Sequence, residues 1–303
     1  MTAKELEQYL LQSLNMALGS MMQGETSYTN SFTCKVTEEG FYFLPRLPAG
    51  YIVDDDLYQK IFLIASAALY PKFTLLKQNS AYFVPMDTDD IHTQRALFFP
   101  WQQGISERLV ISDLDRFTSS LTNQQIPIMK QLTLNYQNIT SIAIAGNSGS
   151  GKSYMLTYLL SVLKPISELI IVDPKFDTPS RWARIHDITV IHPHQNRSKS
   201  DFLSEINENL SHCLQVIQQR QTILYDDPDY QFDHLTIVID EVLALAEGVN
   251  KTIKDAFFSL LSQIALLGRA TKVHLLLVSQ RFDHQTIPVS VREQLNVLIQ
   301  IGN

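Results

Sequence analysis

The chain has little of what marks secreted or membrane-spanning proteins. Its 303 residues include only two cysteines, Cys34 and Cys213, far apart and without the spacing of a metal site. No apolar run approaches the roughly 18 residues that a transmembrane helix needs, and Glu5 and Glu7 precede any apolar run, unlike a secretory signal. These absences predict a cytoplasmic protein with no intrinsic membrane span, which is either soluble or held at a membrane only by a partner.

Positive charge is also scarce. Lys and Arg number 24 against 31 Asp and Glu, for a net charge of −7, which argues against a broad surface that coats nucleic acid. A narrow basic track that contacts nucleic acid remains compatible with this net charge. It is as well supported as the alternative, in which the basic residues are solvated charges on loops. Two local clusters could form such a track: Lys175, Arg181, Arg184, Arg197 and Lys199, and Arg269, Lys272, Arg281 and Arg292.

Residues 1–104 predict a small α+β domain of unknown role. Helical periodicity over residues 3–22 indicates an amphipathic helix, and a second helix is expected over residues 57–70. Residues 87–107 are polar with scattered aromatics, among them Phe98, Phe99 and Trp101. Short strands are expected at residues 32–36, 41–44, 81–84 and 108–111, followed by a loop or short helix at residues 114–121.

A phosphate-binding loop follows. An apolar run at residues 142–145 enters the pattern G-x-x-x-x-G-K-S, and a helical pattern leaves it. Glycines let successive backbone N–H groups point at one anion, and the helix adds its N-terminal dipole. The predicted nucleotide-binding residues are Gly146, Asn147, Ser148, Gly149, Ser150, Gly151, Lys152, Ser153 and Tyr154.

Each polar side chain of this loop has a predicted role. Lys152 should reach the β- and γ-phosphates of ATP, and the Ser153 hydroxyl should ligate Mg²⁺. Strands then alternate with helices, which indicates a parallel sheet. The expected strands are residues 169–172, 188–191, 235–239, 273–278 and 295–299, and the expected helices are residues 200–225 and 257–267, the latter closing at Gly268.

An acidic pair, Asp240 and Glu241, follows the strand at residues 235–239. A strand that ends in an acid downstream of a phosphate-binding loop is the Walker B pattern. Asp240 would bind Mg²⁺ through water opposite Ser153, and Glu241 would act as the general base toward the attacking water. Because a base is present, the combination predicts hydrolysis of ATP rather than binding alone.

Two further catalytic candidates have structural alternatives. Gln280 follows the strand at residues 273–278 and could orient water at the γ-phosphate, or it could bond the backbone at the strand end. Arg269 follows Gly268 and could cap the helix dipole or act as an arginine finger in a neighbouring subunit.

Three nearby histidines raise a metal alternative. His186, His192 and His194 include a His-x-His pattern, but no further ligand is suitably spaced. Loop histidines are therefore favoured over a zinc site.

Four stretches together resemble the FtsK/SpoIIIE family of DNA translocases. They begin at Gly146, Ile171, Ile237 and Gly268, and they read GNSGSGKS, IVDPK, IVIDE and GRATKVHLLLVSQR. The resemblance covers residues 105–303 and is nearest to FtsK-like proteins of conjugative and other mobile elements in Gram-positive bacteria. It implies a RecA-like motor domain that hydrolyses ATP with Mg²⁺ between the subunits of a hexameric ring around double-stranded DNA. Membrane-bound or relaxase partners are also implied.

The sequence departs from the family at its end. The family motor continues beyond the last expected strand, whereas this chain stops at Asn303, and Arg281 is not followed by the usual proline. A C-terminally truncated motor domain or a reduced homologue is therefore expected. Three functions follow: a DNA translocase or conjugative coupling motor, a P-loop ATPase that moves or remodels protein, and a nucleotide-binding partner subunit without motor activity.

Overall fold

The structure is a computed structural model that describes residues 2–20, 31–49, 51–78, 81–105, 107–122, 124–282 and 287–302. Residues 21 and 22 of the first predicted helix lie outside these ranges. The chain divides into two compact units, Met1–Arg108 with Met129–Gln131 and Leu109–Ile128 with Leu132–Asn303.

The first unit packs two helices on an antiparallel sheet. The strands run in the order β1-β2-β5-β3, and β4 also pairs with β5. Its core includes Leu10, Leu14, Phe41, Tyr58 and Phe99, none of which is exposed. The elements are α1 (Ala3–Ser20), β1 (Phe32–Val36), β2 (Gly40–Pro45), α2 (Asp55–Leu69), β3 (Phe73–Leu75), β4 (Phe83–Pro85) and β5 (Arg95–Gln103).

The sequence pattern did not identify β5. The segment described as polar with scattered aromatics supplies a nine-residue strand that pairs with three others. Leu97, Phe99 and Trp101 alternate along this strand and are buried. The sequence pattern does not indicate a strand, because Pro100 lies between them and proline is uncommon inside strands. The strand predicted at residues 108–111 does not form, since these residues have no strand pairing.

The second unit is built on a six-stranded parallel sheet in the order β10-β9-β11-β12-β8-β13. A separate hairpin joins β6 and β7. The elements are α3 (Leu114–Ser119), β6 (Gln125–Met129), β7 (Leu132–Asn135), β8 (Ser141–Gly146), α4 (Lys152–Leu163), β9 (Ser167–Val172), α5 (Thr178–Ile185), β10 (Val190–Ile191), α6 (Lys199–Asp226), β11 (His234–Ile239), α7 (Val242–Ala246), α8 (Lys251–Thr271), β12 (Val273–Ser279), α9 (Val289–Arg292) and β13 (Val297–Ile301).

Helices cover both faces of this sheet. One buried cluster joins the sheet to α6 and α8, and the other joins it to α4 and α5. Every residue of β8, β11 and β12 is buried, which explains why these strands appear as continuous apolar runs rather than alternating ones. The predicted α/β class with a parallel P-loop sheet is confirmed.

Two helices differ in detail from the prediction. The apolar spacing over residues 200–225 predicts that Ile223 lies on the inner side of α6 and does not include Cys213, but Ile223 is 40% exposed and Cys213 is buried. Helix α8 does not close at Gly268 but continues to Thr271, with Lys272 in the left-handed conformation as its cap. Among the described residues, no helix is long and apolar enough to cross a bilayer.

Candidate nucleotide-binding site

The loop between β8 and α4 needs its glycines for different reasons. A Cβ on Gly146 would lie 2.5 Å from both the Ile301 carbonyl oxygen and the Ser150 hydroxyl, so a larger residue cannot fit against β13. Gly149 and Gly151 have φ of 77° and 101°, which glycine adopts without strain. Gly151 is also the N-cap of α4, so the loop delivers its backbone to the start of a helix.

Lys152 and Ser153 begin that helix. The Lys152 ammonium donates to the carbonyl oxygens of Gly146 at 2.7 Å and Asn147 at 3.1 Å, which holds it over the loop. Ser153 is exposed, and the next residue, Tyr154, is 86% exposed. Ser153 and Tyr154 therefore face solvent at the mouth of the loop.

The acidic pair lies at the carboxyl end of β11, which pairs with β9 and β12. The Asp240 amide donates to the Val172 carbonyl oxygen at 3.0 Å. Glu241 has φ of 48° and ψ of 55°, an uncommon left-handed conformation for a residue with a side chain. Its side chain is 7% exposed. Such conformations persist where the surrounding structure imposes them, and they cluster at functional sites.

Asp173, at the end of β9, organises the neighbouring loop. Its buried carboxylate accepts hydrogen bonds from the Lys175 amide at 3.0 Å, the Asp177 amide at 2.8 Å and the Ser180 hydroxyl at 2.7 Å. These bonds tie the loop after β9 to the start of α5.

Lys175 reaches the acidic pair from this loop. Its ammonium donates to Glu241 Oε1 at 2.7 Å. Burial lowers the pKa of Lys175, but the hydrogen bond and charge of Glu241 and the charges of Asp240 and Asp173 outweigh it and raise that pKa overall. The sequence had assigned Lys175 only to a basic cluster and a family motif, so its pairing with Glu241 is an interaction that the sequence pattern did not reveal.

Asp240 lies in an acidic environment. Burial, together with the charges of Asp173 and Glu241, raises its pKa to about 6, although Lys175 opposes the shift. A carboxyl held this way favours a cation, since a bound metal would relieve the repulsion between the acids.

These groups line one cavity of about 230 Å³. The phosphate-binding loop, Lys175, the start of α5, and the pair Asp240 and Glu241 all contribute to its wall. The donor set suits MgATP. Backbone N–H groups and Lys152 would hold phosphate oxygens, and the Ser153 hydroxyl and the Asp240 carboxylate are oxygen ligands of the kind Mg²⁺ prefers.

Gln280 follows β12 at the carboxyl edge of the sheet. Ser279 pairs with Ala145, which places the exposed Gln280 beside the beginning of the phosphate-binding loop. The role suggested from the sequence, in which Gln280 orients water at the γ-phosphate, requires this position.

Arg269 lies elsewhere. It is exposed in the last turn of α8, next to the start of β12, at the amino edge of the sheet. The phosphate-binding loop is at the carboxyl edge, so the structure does not bring Arg269 to its own chain's site.

The three histidines do not form a metal site. The His186 Nδ1–H donates to the Trp182 carbonyl oxygen and the ring stacks on that of Trp182, whereas His192 packs on Phe176. Within the described part of the chain, no group of three or more His, Cys, Asp or Glu side chains is arranged to hold a metal ion.

Comparison with known proteins supports an FtsK-like chain. No protein family model matches it. It is similar to the FtsK domain-containing protein YdcQ of Bacillus subtilis (strain 168), with 22% identity over 187 residues, 59% of this chain and 38% of YdcQ. The match thus spans well under half of that relative's length. The resemblance predicted from the four motif stretches is confirmed at the level of an FtsK-like P-loop protein.

Several solved structures are similar to this chain over part or most of its length. The pCW3 conjugation coupling protein TcpA, as a monomer with ATPγS, has a TM-score of 0.47 and 14% identity, covering 98% of this chain and 83% of TcpA. EssC (ATPases 2 and 3) from Geobacillus thermodenitrificans has a TM-score of 0.46 and 15% identity, covering 65% of this chain and 39% of EssC. The cytoplasmic domain of the type VII secretion ATPase EccC of Thermomonospora curvata has a TM-score of 0.46 and 19% identity, over 65% of this chain and 27% of EccC.

Proposed function

We propose that the chain is an Mg²⁺-dependent ATPase of the FtsK type that moves double-stranded DNA. One observation carries the ATPase part: the phosphate-binding loop and the pair Asp240 and Glu241 line the same cavity. Ser153 and Asp240 suffice for Mg²⁺, so the second, buried carboxylate of Glu241 is the group that supports turnover beyond binding.

Each polar residue of the site has a part in the proposed hydrolysis of ATP. Lys152 and the loop amides bind the phosphates, and Ser153 and Asp240 hold Mg²⁺. Glu241 accepts the proton of the attacking water, and Gln280 orients that water from the neighbouring strand. Bound MgATP supplies the terminal phosphoryl group that is transferred to water.

The DNA part of the proposal rests on the sequence resemblance. The basic clusters give it limited support. Arg181 pairs with Asp177, and Arg197 pairs with Glu205, so part of the first cluster is neutralised. The second cluster is split, because Arg269 and Lys272 lie at the amino edge of the sheet and Arg281 follows β12 at the carboxyl edge.

Assembly and partners belong to the same proposal. A hexameric ring on duplex DNA would place ATP sites between subunits, and a membrane-bound or relaxase partner would connect the motor to transfer. The alternative, a motor that acts on protein, is favoured by the net charge of −7.

Turnover with and without duplex DNA tests both parts. At low salt we expect DNA to accelerate ATP hydrolysis, and the stimulation to fall as salt rises, because contacts to phosphates release counterions. Glu241→Gln should bind ATP and not hydrolyse it. Rates that are equal with and without DNA would remove the translocase and leave the protein-directed motor, whereas hydrolysis that survives Glu241→Gln would remove Glu241 as the base.

A further inference from the structure

Hydrogen bonds fix the loop after β9, although this loop has no assigned role in hydrolysis. Asp173 fixes its backbone at Lys175, Asp177 and Ser180. Phe176, in the middle, has φ of 51°, a conformation that a bulky residue adopts only under constraint. The position from which the Lys175 side chain extends is therefore set by the fold.

From that position Lys175 contacts one anionic partner, Glu241, and shares a cavity with the loop that is expected to bind phosphate. Its ammonium is bonded to Glu241 Oε1 at 2.7 Å, and its side chain lines the same cavity as Lys152 and the phosphate-binding loop. The two partners differ in freedom: the Lys175 side chain is 52% exposed, whereas that of Glu241 is 7% exposed. Lys175 is therefore the partner that can move.

The ion pair also restrains the proposed base. A carboxylate oxygen that accepts a charge-assisted hydrogen bond from an ammonium group is engaged and is a poorer acceptor for a proton from water. Oε1 of Glu241 is then available to the attacking water only after Lys175 has left it. A triphosphate carries more negative charge than one carboxylate, and its terminal phosphate would offer the ammonium a competing partner in the same cavity.

We propose that Lys175 exchanges between Glu241 and the terminal phosphate of the nucleotide, so that recognition of a triphosphate releases the base. This inference rests on the proposed ATPase function and deepens it. Lys175 then discriminates ATP from ADP, because only ATP brings the phosphate for which it leaves Glu241. Glu241 stays masked when the cavity holds a diphosphate.

Binding affinities test the exchange without reliance on turnover. The probes are Mg²⁺ with ATPγS and Mg²⁺ with ADP, titrated against the intact chain and its variants. Lys175→Met should weaken ATPγS binding about tenfold, the size of one hydrogen bond to a charged group, and change ADP binding little. Lys175→Arg should retain most of the preference for ATPγS, and Lys164→Met, an exposed lysine at the end of α4, should change neither affinity.

A double-variant comparison separates exchange from simple repulsion. Glu241→Gln removes the competing partner, so it should tighten ATPγS binding severalfold in the native background. Under exchange, that gain should be smaller in the Lys175→Met background, because no ammonium remains to be released. If Glu241 only repels the nucleotide, the gain should be at least as large there, since Glu241 is then uncompensated.

The outcomes are distinct. An equal effect of Lys175→Met on ATPγS and ADP, or a gain from Glu241→Gln that persists undiminished in the double variant, overturns the exchange while leaving the nucleotide site intact. Failure of the native chain to bind ATPγS at all overturns the proposed ATPase function itself. A melting measurement on each variant shows that the compared proteins are folded.

Discussion

Arg269 is separated from its own chain's nucleotide site by the sheet. It lies in the last turn of α8 beside the start of β12, and the seven residues of β12 lead from there to the carboxyl edge. At about 3.3 Å per residue, this strand alone separates the two by roughly 20 Å. Arg269 therefore either stabilises the helix end or acts on the site of another copy.

The variant Arg269→Ala distinguishes these roles. As a cap on the helix dipole, Arg269 contributes about 0.3–1 kcal/mol to the free energy of unfolding and nothing to catalysis. As a finger in a neighbouring subunit, its loss cuts hydrolysis by orders of magnitude and leaves the fold intact. We expect Arg269→Ala to be folded and inactive, which thermal melting and an ATPase assay would show together.

Mixing variants provides the control. Lys152→Ala should lack ATP binding, yet it retains Arg269, so an equimolar mixture with Arg269→Ala should recover part of the activity at mixed interfaces. Two folded variants that assemble together and remain inactive would assign Arg269 to the helix end.

For single residues, the sequence predicted where a side chain lies better than which other side chain it contacts. The residues at the ends of β8 and β11 could be located because buried strands and glycine-rich turns leave strong local patterns. The pairing of Lys175 with Glu241 joins residues 66 positions apart. It depends on how Asp173 folds the intervening loop, so no local pattern reveals it.

The contact between α8 and β12 explains why a glycine lies inside a helix. A Cβ on Gly268 would come within 2.1 Å of the Val273 carbonyl oxygen. The chain reverses there within a few residues, and Lys272, in the left-handed conformation, donates its amide to the Gly268 carbonyl oxygen. The sequence interpretation took this glycine as a helix end, whereas its function is to permit a close approach of the two backbones.

The substitution Gly268→Ala should therefore destabilise the protein. Helix propensity alone favours alanine over glycine by about 1 kcal/mol, so the sign of the effect reports the clash. We expect a lower free energy of unfolding in urea, because the Val273 backbone must shift. Ala270→Gly, at an exposed position of the same helix, serves as the comparison and should cost about 1 kcal/mol. A more stable Gly268→Ala protein would contradict the contact.

Elements with strong periodicity were predicted more successfully than the first unit's strand β5. Helix α6 and the parallel strands repeat their apolar residues over long stretches or in continuous runs. In β5, Pro100 lies between the buried aromatic residues Phe99 and Trp101 and obscures the strand pattern. The strand is stabilised by pairing with β2, β3 and β4. Such non-local pairing is not encoded in a short window of sequence.

For the molecule as a whole, a buried histidine pair links stability to pH. His234 Nδ1 and His274 Nε2 lie 2.7 Å apart in the second unit, and Tyr136 packs on both rings. Burial, followed by the neighbouring His234 and the charge of Lys272, lowers the pKa of His274 to about 3. The pair is thus held neutral in the folded protein.

Acid should destabilise the folded protein, because folding keeps this histidine pair neutral. The unfolded chain takes up a proton at His274 near pH 6.5, and the folded chain does so only near pH 3. The unfolded state therefore binds more protons in this window, and the contribution of His274 to stability falls as pH falls through it. Between pH 7 and pH 5 the loss is about 2 kcal/mol.

The comparison with His274→Gln isolates this effect, because the raised pKa of Asp240 acts in the opposite direction. Urea unfolding at pH 7 and pH 5 should show the native protein losing about 2 kcal/mol more than His274→Gln. His212→Gln, at an exposed position on α6, should follow the native protein. A pH dependence that is the same for the native protein and His274→Gln would contradict a neutral buried pair.

The close packing of Gly146 against Ile301 has a thermodynamic consequence. Strand β13 lies at the edge of the sheet and pairs only with β8 in the described part of the chain. Its carbonyl at Ile301 lies against the first residue of the phosphate-binding loop, 155 positions earlier. A ligand that orders this loop therefore also opposes local opening of β13. By the same linkage, whatever covers or extends this edge strand should change the affinity for nucleotide without touching it.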